Sequence, residues 1–491
     1  MIRRLRILVL LLPLALLAGC TVNPATGRGS FTAFMSREDE IRIGAEEHPK
    51  LIKEFGGAYG DAKLRAYVRR VGLKLSRHAE VTGLPFTFTV LNDDKVNAFA
   101  LPGGYVYITR GLLALAGNEA EMAGVLAHEI GHVVARHTAE RYSATMATNL
   151  GLMVLGVIGS SAGMPSGVGR IVGFGAQAAL RGYSRDQELE ADMLGVRYMA
   201  RAGYSPDAAT SFFYKMQAHA ELEQAMLGKQ DGVSHNIMST HPRTAERIRQ
   251  AIKLARTAPV ASPEVGRDAY LAEIDGMVFG DDPEQGIRRG RHFMHPGLGI
   301  AFTAPPDFAL FNSPRRVVAR GPENSVMIFD MATKKTAGRV RSMAEYLTGF
   351  WADDLALREV ETINVNGMAA ATGGSRVTTR NGPRDIRLVA IDGGPGRIYR
   401  FAFITSPAMT GRLGVELRRA TYSFRRLDDS ERAAVRPLKI RVVSVGSGDT
   451  PESLARRMPF EKFPRRWFEV LNGLRPGQGL QPGARVKIVS D

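Results

Sequence analysis

The sequence predicts an α+β protein in three parts: a mainly helical first half with a small edge sheet, a mixed α+β region, and a small C-terminal unit. Three observations carry this expectation. The chain has 491 residues, and at about 100–200 residues per domain that implies about three domains. Its composition, 44% hydrophobic and 23% charged, is that of globular domains and excludes a disordered, collagen-like or polytopic membrane chain. Apolar spacing is helical over much of residues 36–258 and alternates over short runs in residues 290–430.

The first twenty residues read MIRRLRILVLLLPLALLAGC. Arg3, Arg4 and Arg6 precede an apolar run from Ile7 to Ala18, the pattern of a signal peptide over residues 1–19. The run is shorter than the about 20 residues a spanning helix needs. Its end, Leu-Ala-Gly-Cys, resembles the lipobox of bacterial lipoproteins, which implies cleavage before Cys20 and a lipid on its sulfur. Cys20 is the only cysteine. That excludes an intramolecular disulfide framework and a cysteine-rich zinc module. Thr21 stands where an aspartate would signal inner-membrane retention, so the expected location is the periplasm, at the outer membrane. Residues 20–35, rich in Gly, Ser, Thr and Asn, are expected to form a flexible tether.

The formal charge is +16, and the basic excess lies mainly after residue 260. Outside the cytoplasm a basic surface suits anionic lipid, lipopolysaccharide or cell wall better than nucleic acid, and no nucleic-acid partner is expected. A solvated basic surface without a dedicated ligand is the plainer alternative.

Along the chain, a helix is expected from Ser36, with Glu38, Asp39 and Glu40 in its first turn. Leu64, Tyr67, Val68, Val71 and Leu75 mark a second helix. Phe86, Phe88 and Val90 alternate as in a strand. Residues 97–109, NAFALPGGYVYIT, read as two strands about a Pro-Gly-Gly turn. One long helix is expected from Asn118 to Tyr142 and another from Ser184 to Ala202. The apolar, glycine-broken stretch 149–175 has no run of 18 apolar residues and should not span a membrane. Residues 259–289 read as a linker, 290–430 as a separate α+β domain with His292 and His295 in loops, and 440–491 as a third unit.

The chemistry starts at His128-Glu129-Ile130-Gly131-His132. Positions four apart share a helix face, so both imidazoles can bind one metal ion, with Glu129 beside it as general base. The alternative is two core histidines and a buried carboxylate, and a buried glutamate without a partner is costly. A catalytic zinc needs a third protein ligand and an open fourth position. Thr138 stands where HExxHxxGxxH enzymes place their third histidine. His137 is one residue out of register on a continuous helix and should point off the site, as a surface histidine or one behind a ligand. The third ligand is sought at Glu188. Asp192, one turn on, can accept the outer N–H of His128. Glu190, on another face, is expected in solvent.

These residues carry a resemblance. The runs VNAFALPGGYVYITRGLL, NEAEMAGVLAHEIGHVVARH, YSRDQELEAD and STHPRTAERI, in that order, resemble the BepA/HtpX-type gluzincin metallopeptidase family over about residues 36–255. The resemblance implies a mainly helical zinc metalloendopeptidase domain over 36–258 with one zinc ion per chain. It implies His128, His132 and Glu188 as ligands, Glu129 as catalytic base and Asp192 as the carboxylate behind a ligand. His241 matches a histidine that can approach zinc and act as a latch, and Arg247 matches an arginine of the same element. Whether His241 stabilises an oxyanion or closes the site stays open at this level. Asn97, Ala98, Phe99 and Ala100 are expected to form an edge strand on which an extended substrate pairs through its backbone.

Residues 442–489 are similar to a LysM module through Gly448, Asp449, Thr450, Asn472, Pro482 and Gly483, which implies peptidoglycan as a possible partner. The resulting expectation is a lipid-anchored periplasmic zinc endopeptidase that removes misfolded or unassembled envelope proteins. The alternatives are a chaperone or scaffold lipoprotein with a latched zinc site, and a zinc peptidase directed at peptidoglycan.

Overall fold

The structure is a computed structural model, and it describes residues 20–23, 25–81, 83–154, 182–227, 237, 241, 245–257, 260–333, 340–379 and 382–491. The signal-like segment 1–19 and most of the glycine-broken stretch 149–175 lie outside the described residues. The chain divides into two compact units, one of Met1–Phe279 with Lys439–Ser490 and one of Gly280–Leu438.

The first unit opens on a hairpin, β1 (Cys20–Val22) against β2 (Gly29–Phe31), where the sequence suggests a free tether. Helix α1 (Arg37–Glu54) starts at Ser36 in a reciprocal capping box with Asp39. Such a box satisfies two of the backbone N–H groups that a helix start leaves unpaired. Helix α2 (Ala62–Ser76) is capped by Asp61 and buries Leu64, Tyr67, Val68, Val71 and Leu75, the stripe read from the sequence. A three-stranded sheet follows. Strand β3 (Thr87–Leu91) runs parallel to β5 (Tyr105–Thr109), and β4 (Ala98–Leu101) lies antiparallel to β5 at the edge. Helix α3 (Arg110–Leu115) leads into α4 (Glu119–Val134), which Asn118 caps.

Helix α4 is buried almost throughout, because α6 (Arg185–Arg201) lies along it. Two glycines permit the approach. A Cβ on Gly131 would lie 2.9 Å from the Ala191 carbonyl, and one on Gly195 would lie 3.1 Å from the His128 nitrogen. The predicted single helix 118–142 is broken. Helix α4 ends at Val134, Arg136 adopts φ 58°, and α5 (His137–Val154) starts afresh. A left-handed arginine costs about 1–2 kcal/mol. Here its guanidinium bonds Glu40 Oε2 at 2.9 Å, Thr32 Oγ1 at 3.2 Å and the Met35 carbonyl at 2.6 Å, which offset that cost. Helices α7 (Asp207–Leu227) and α8 (Ala245–Thr257) pack on this pair. The stretch read as a linker, 259–289, instead holds α9 (Arg267–Ile274), with Tyr270, Leu271 and Ile274 buried, and β6 (Val278–Phe279).

The second unit is α+β. Strands β7 (Ile287–Arg289), β8 (His292–His295) and β9 (Ile300–Thr303) form a small sheet closed by β17 (Arg425–Arg426). His292 and His295 are thus the two ends of a strand rather than loop residues. Seven antiparallel strands form the main sheet in the order β10 (Ala309–Asn312), β11 (Arg316–Arg320), β12 (Val326–Thr333), β16 (Arg397–Thr405), β15 (Gly382–Asp392), β14 (Met368–Thr379), β13 (Arg358–Val365). One face holds an aromatic core of Phe293, Phe302, Phe329, Tyr399, Phe401 and Phe424. The other is covered by α10 (Met343–Tyr346) and the turn after it. Helices α11 (Pro407–Tyr422) and α12 (Asp429–Ala434) complete the unit.

The chain then returns to the first unit as β18 (Leu438–Ser444), α13 (Pro451–Ala455), α14 (Pro464–Asn472) and β19 (Arg485–Ser490), with β18 and β19 antiparallel. This segment, read as a separate third unit, clusters with the first because β18 also neighbours β6. The fully buried Lys487 ammonium donates to the carbonyls of Ala114, Leu115 and Ala116.

Candidate metal centre

Helices α4 and α6 supply the centre. One turn of α4 separates His128 from His132, and their Nε2 atoms lie 3.0 Å apart. Helix α6 starts at Ser184 in a capping box with Gln187, which brings Glu188 into its first turn. Glu188 Oε2 lies 3.6 Å from His128 Nε2, and its Oε1 lies 3.5 Å from His132 Nε2. His241 adds a fourth donor, its Nδ1 3.2 Å from His128 Nε2 and 2.9 Å from Glu188 Oε1. The four donor atoms lie within 4.8 Å of one another.

The residues fit a metal ion. Bonds of about 2.0–2.1 Å in a tetrahedron put donor atoms about 3.3 Å apart, and the donor separations above cluster around that value. Orbital direction agrees. His128 Nδ1 lies 2.9 Å from Asp192 Oδ1, so that nitrogen carries a proton, and a cation that displaces the Nε2 proton would meet a lone pair facing the cluster. Several lone pairs converging on one point in a buried site call for a cation between them.

Glu129 is completely buried, and neither carboxylate oxygen has a hydrogen-bond partner among the described residues. Its nearest polar contact is His241 Nε2, 3.4 Å away. Burial raises its pKa above the ordinary glutamate value. Glu188 differs. Burial pushes it up, but His241, His128 and His132 overcome that and hold it well below the carboxylate range. Burial likewise lowers His132, whereas for His128 the Asp192 and Glu188 carboxylates outweigh burial and raise its pKa to about 10. Arg247 forks onto Asp192, Nε to Oδ2 and Nη2 to Oδ1, both at 2.7 Å. Its Nη1 lies 2.5 Å from Glu188 Oε2.

The structure therefore brings together His128, Glu129, His132, Glu188, Asp192, His241 and Arg247. Of the proposed substrate strand, Ala98, Phe99 and Ala100 lie on β4, whose outer edge pairs with no described strand. These residues are at most 2% exposed, backbone included, so the strand lies covered in this structure. Asn97 precedes it, with a buried Oδ1 that has no hydrogen-bond partner among the described residues. A narrow gap of about 10 Å³, lined by Ala100, Leu101, His132 and Tyr183, lies between this strand and the centre. Cys20 begins β1.

Three residues at the centre escape the sequence reading. Tyr183 stacks on His132 with ring centroids 3.8 Å apart. His137, expected off the site as a surface histidine or one behind a ligand, is buried behind His132, whose Nδ1 lies 2.8 Å from His137 Nδ1. Glu190, expected in solvent, is 8% exposed and lies against His137. The only signal for His137 is a third histidine close to the motif, and continuous-helix geometry argues against it.

A centre of two helix-borne imidazoles, a carboxylate from a second helix and a buried glutamate defines a metallopeptidase class. Residues 62–255 match the model of peptidase family M48. The chain is similar to the beta-barrel assembly-enhancing protease of Escherichia coli (strain K12), 31% identical over 246 residues, which cover 49% of this chain and 48% of that protein. It is 34% identical to the protein of that name from Yersinia pestis over 259 residues, 51% of each. It is 31% identical to the mitochondrial metalloendopeptidase OMA1 of Schizosaccharomyces pombe over 233 residues, 46% of this chain and 64% of that one. The chain spans about half the length of the bacterial relatives.

Proposed function

We propose that the chain is a zinc-dependent endopeptidase of the bacterial envelope, anchored by a lipid on Cys20 at the periplasmic face of the outer membrane. Its substrates would be misfolded or unassembled envelope proteins. The observation that carries the reading is the convergence of the His128, His132 and Glu188 donors beside an orphaned, buried Glu129. His128, His132 and Glu188 would hold the ion. When bound, zinc supplies Lewis acidity and brings the pKa of water near 7.

The chain's own residues do the rest. Glu129 would take the proton of the attacking water and deliver it to the leaving amine nitrogen, a role that suits a carboxyl whose pKa burial raises. The edge of β4 pairs with no described strand; once uncovered it would hold the substrate backbone extended, which selects unfolded segments over folded ones. Asp192 fixes the His128 tautomer, and Arg247 fixes Asp192.

His241 stands where a substrate carbonyl would have to come, with Nδ1 among the ligands and Nε2 toward Glu129. This supports a latch that substrate or a partner displaces, and it also favours a second reading, a scaffold lipoprotein whose centre stays closed. Among the described residues no helix is long and apolar enough to cross a membrane, which is compatible with a lipid anchor. The strand-helix-helix-strand order of residues 438–490 supports a LysM-like unit with peptidoglycan as its partner.

Metal analysis with casein cleavage tests the reading on wild type, Glu129→Gln and His241→Ala. One zinc per chain is expected, with cleavage abolished by Glu129→Gln and accelerated by His241→Ala. A metal-free wild type, or equal phenotypic rescue by wild type and Glu129→Gln, rejects the enzymatic reading.

A further inference from the structure

Beyond the ligands, a hydrogen-bonded chain runs from the centre to the N-terminal hairpin. His132 Nδ1 lies 2.8 Å from His137 Nδ1, and His137 Nε2 lies 3.3 Å from Glu190 Oε2. Glu190 is held in turn by three residues of the hairpin. Asn23 Nδ2 donates to Oε1 at 3.0 Å, Thr26 Oγ1 to Oε1 at 2.6 Å, and Arg28 Nη1 to Oε2 at 2.9 Å. His137 and Glu190 are buried, so water does not replace these partners.

The order of donors along this chain has one solution. A neutral imidazole has one N–H and one lone pair. Glu190, with Arg28 and two further donors on it, is ionised and can only accept. A bare nitrogen facing it would place two lone pairs together, so His137 carries its proton on Nε2. Its Nδ1 is then an acceptor. The facing His132 Nδ1 must therefore be the donor, which leaves His132 Nε2 unprotonated and pointing at His128, Glu188 and His241. The reverse arrangement would put the proton on the very nitrogen that faces the metal.

We propose that His137 and Glu190 are positioning residues of the metal centre. Glu190 selects the His132 tautomer through His137, and Asn23, Thr26 and Arg28 make the N-terminal hairpin part of the device. Each of the two helix histidines then has its own carboxylate, Asp192 directly for His128 and Glu190 through one imidazole for His132. The break at Arg136 is what permits this, since it turns His137 back onto His132 instead of carrying it along the helix axis. Partners behind a metal-bound histidine are worth about 10–100-fold in metal affinity.

The inference rests on the metal-centre reading, and zinc binding separates the two. The full chain is stripped with chelator, zinc affinity is measured by competition with a chromophoric chelator, and the melting of the zinc-free protein is followed in parallel. His137→Ala is expected to weaken zinc binding about 10–100-fold while the zinc-free protein melts as wild type does. His137→Gln, whose side-chain oxygen can still accept from His132, should recover most of the affinity. Arg28→Ala, on the half-exposed hairpin, is the variant least able to disturb folding and should show a smaller loss of the same kind. If His137→Ala fails to fold, Arg28→Ala and Glu190→Gln decide by the same readout. Zinc affinity within twofold of wild type in folded variants overturns the inference, as does an affinity loss matched by an equal drop in zinc-free stability. A wild type that binds no zinc overturns instead the reading of the centre itself.

Discussion

His128 Nδ1 lies 2.9 Å from Asp192 Oδ1, and the carboxylate at the far end of that bond is itself clamped on both oxygens by the Arg247 guanidinium. Rotation of the imidazole would therefore break its bond to a carboxylate that a charge-assisted fork, the strongest class of side-chain hydrogen bond, holds in place. Asp192→Asn keeps the shape, but it removes the charge and sets an amide NH2 group against either Arg247 Nε or the donors on Oδ1. Zinc affinity is expected to fall about 10–100-fold, measured by chelator competition. An unchanged affinity would show that Asp192 only braces Arg247.

Gly131 lies within the metal-binding motif, where α4 touches α6. Replacing a helical glycine by alanine normally gains about 1 kcal/mol. Here the new Cβ would meet the Ala191 carbonyl at 2.9 Å, backbone against backbone. Overpacking of that kind costs about 1–3 kcal/mol, so steric strain wins. Gly131→Ala should lower the urea midpoint and also weaken zinc binding, because α4 carries His132 and α6 carries Glu188. A raised midpoint would mean the helices part freely.

Lys487 ties the C-terminal segment to the end of α3. Burial drives its pKa well below the ordinary lysine range, while the carbonyls of Ala114 at 2.6 Å, Ala116 at 2.7 Å and Leu115 at 3.3 Å solvate the ammonium. Lys487→Met removes a buried charge but strands these acceptors. Leaving buried acceptors unpaired costs about 1–3 kcal/mol. The expected result is a destabilised first unit, seen as an earlier loss of α-helical signal in urea. Stability equal to wild type would mean that the segment is merely laid against the surface.

Glu80 accepts from Tyr198 Oη at 2.7 Å, Arg201 Nη1 at 2.8 Å and Arg197 Nη1 at 3.1 Å. Burial pushes its pKa up, but Tyr198 and the two arginines prevail and lower it. A depressed carboxyl stabilises the fold above its unfolded value, near 4.3, and loses that contribution as pH falls through the folded value. Glu80→Gln should therefore be less stable than wild type by about 1 kcal/mol at pH 7, and the gap should close as pH drops below about 4. A gap independent of pH would trace the loss to packing rather than charge.

The catalytic pattern is legible in the chain because it is local. Two histidines four apart and a carboxylate pair four apart each lie within one turn of a helix, where backbone geometry alone aligns them. The stripe of α2, the capped starts of α1 and α6, and the β4–β5 hairpin are legible for the same reason. Glu190 is misread because it lies on a different face of α6 from Glu188, and nothing nearby in sequence reveals that Asn23, Thr26 and Arg28 cover it. His137 is misread because its position follows from a helix break that no Pro or Gly announces. The break is held by bonds from Arg136 to residues about a hundred positions away.

The sequence by itself determined the α+β class, the HExxH helix and the identities of the residues now found around one point, since these depend on spacing within single elements. Only the tertiary structure decided that His241 Nδ1 joins the donors of His128, His132 and Glu188, that Lys439–Ser490 fold with the first unit, and that an N-terminal hairpin reaches His132 through two buried side chains. Those features depend on which desolvated groups find partners across long stretches of chain, and burial of that kind exists only once the helices have packed.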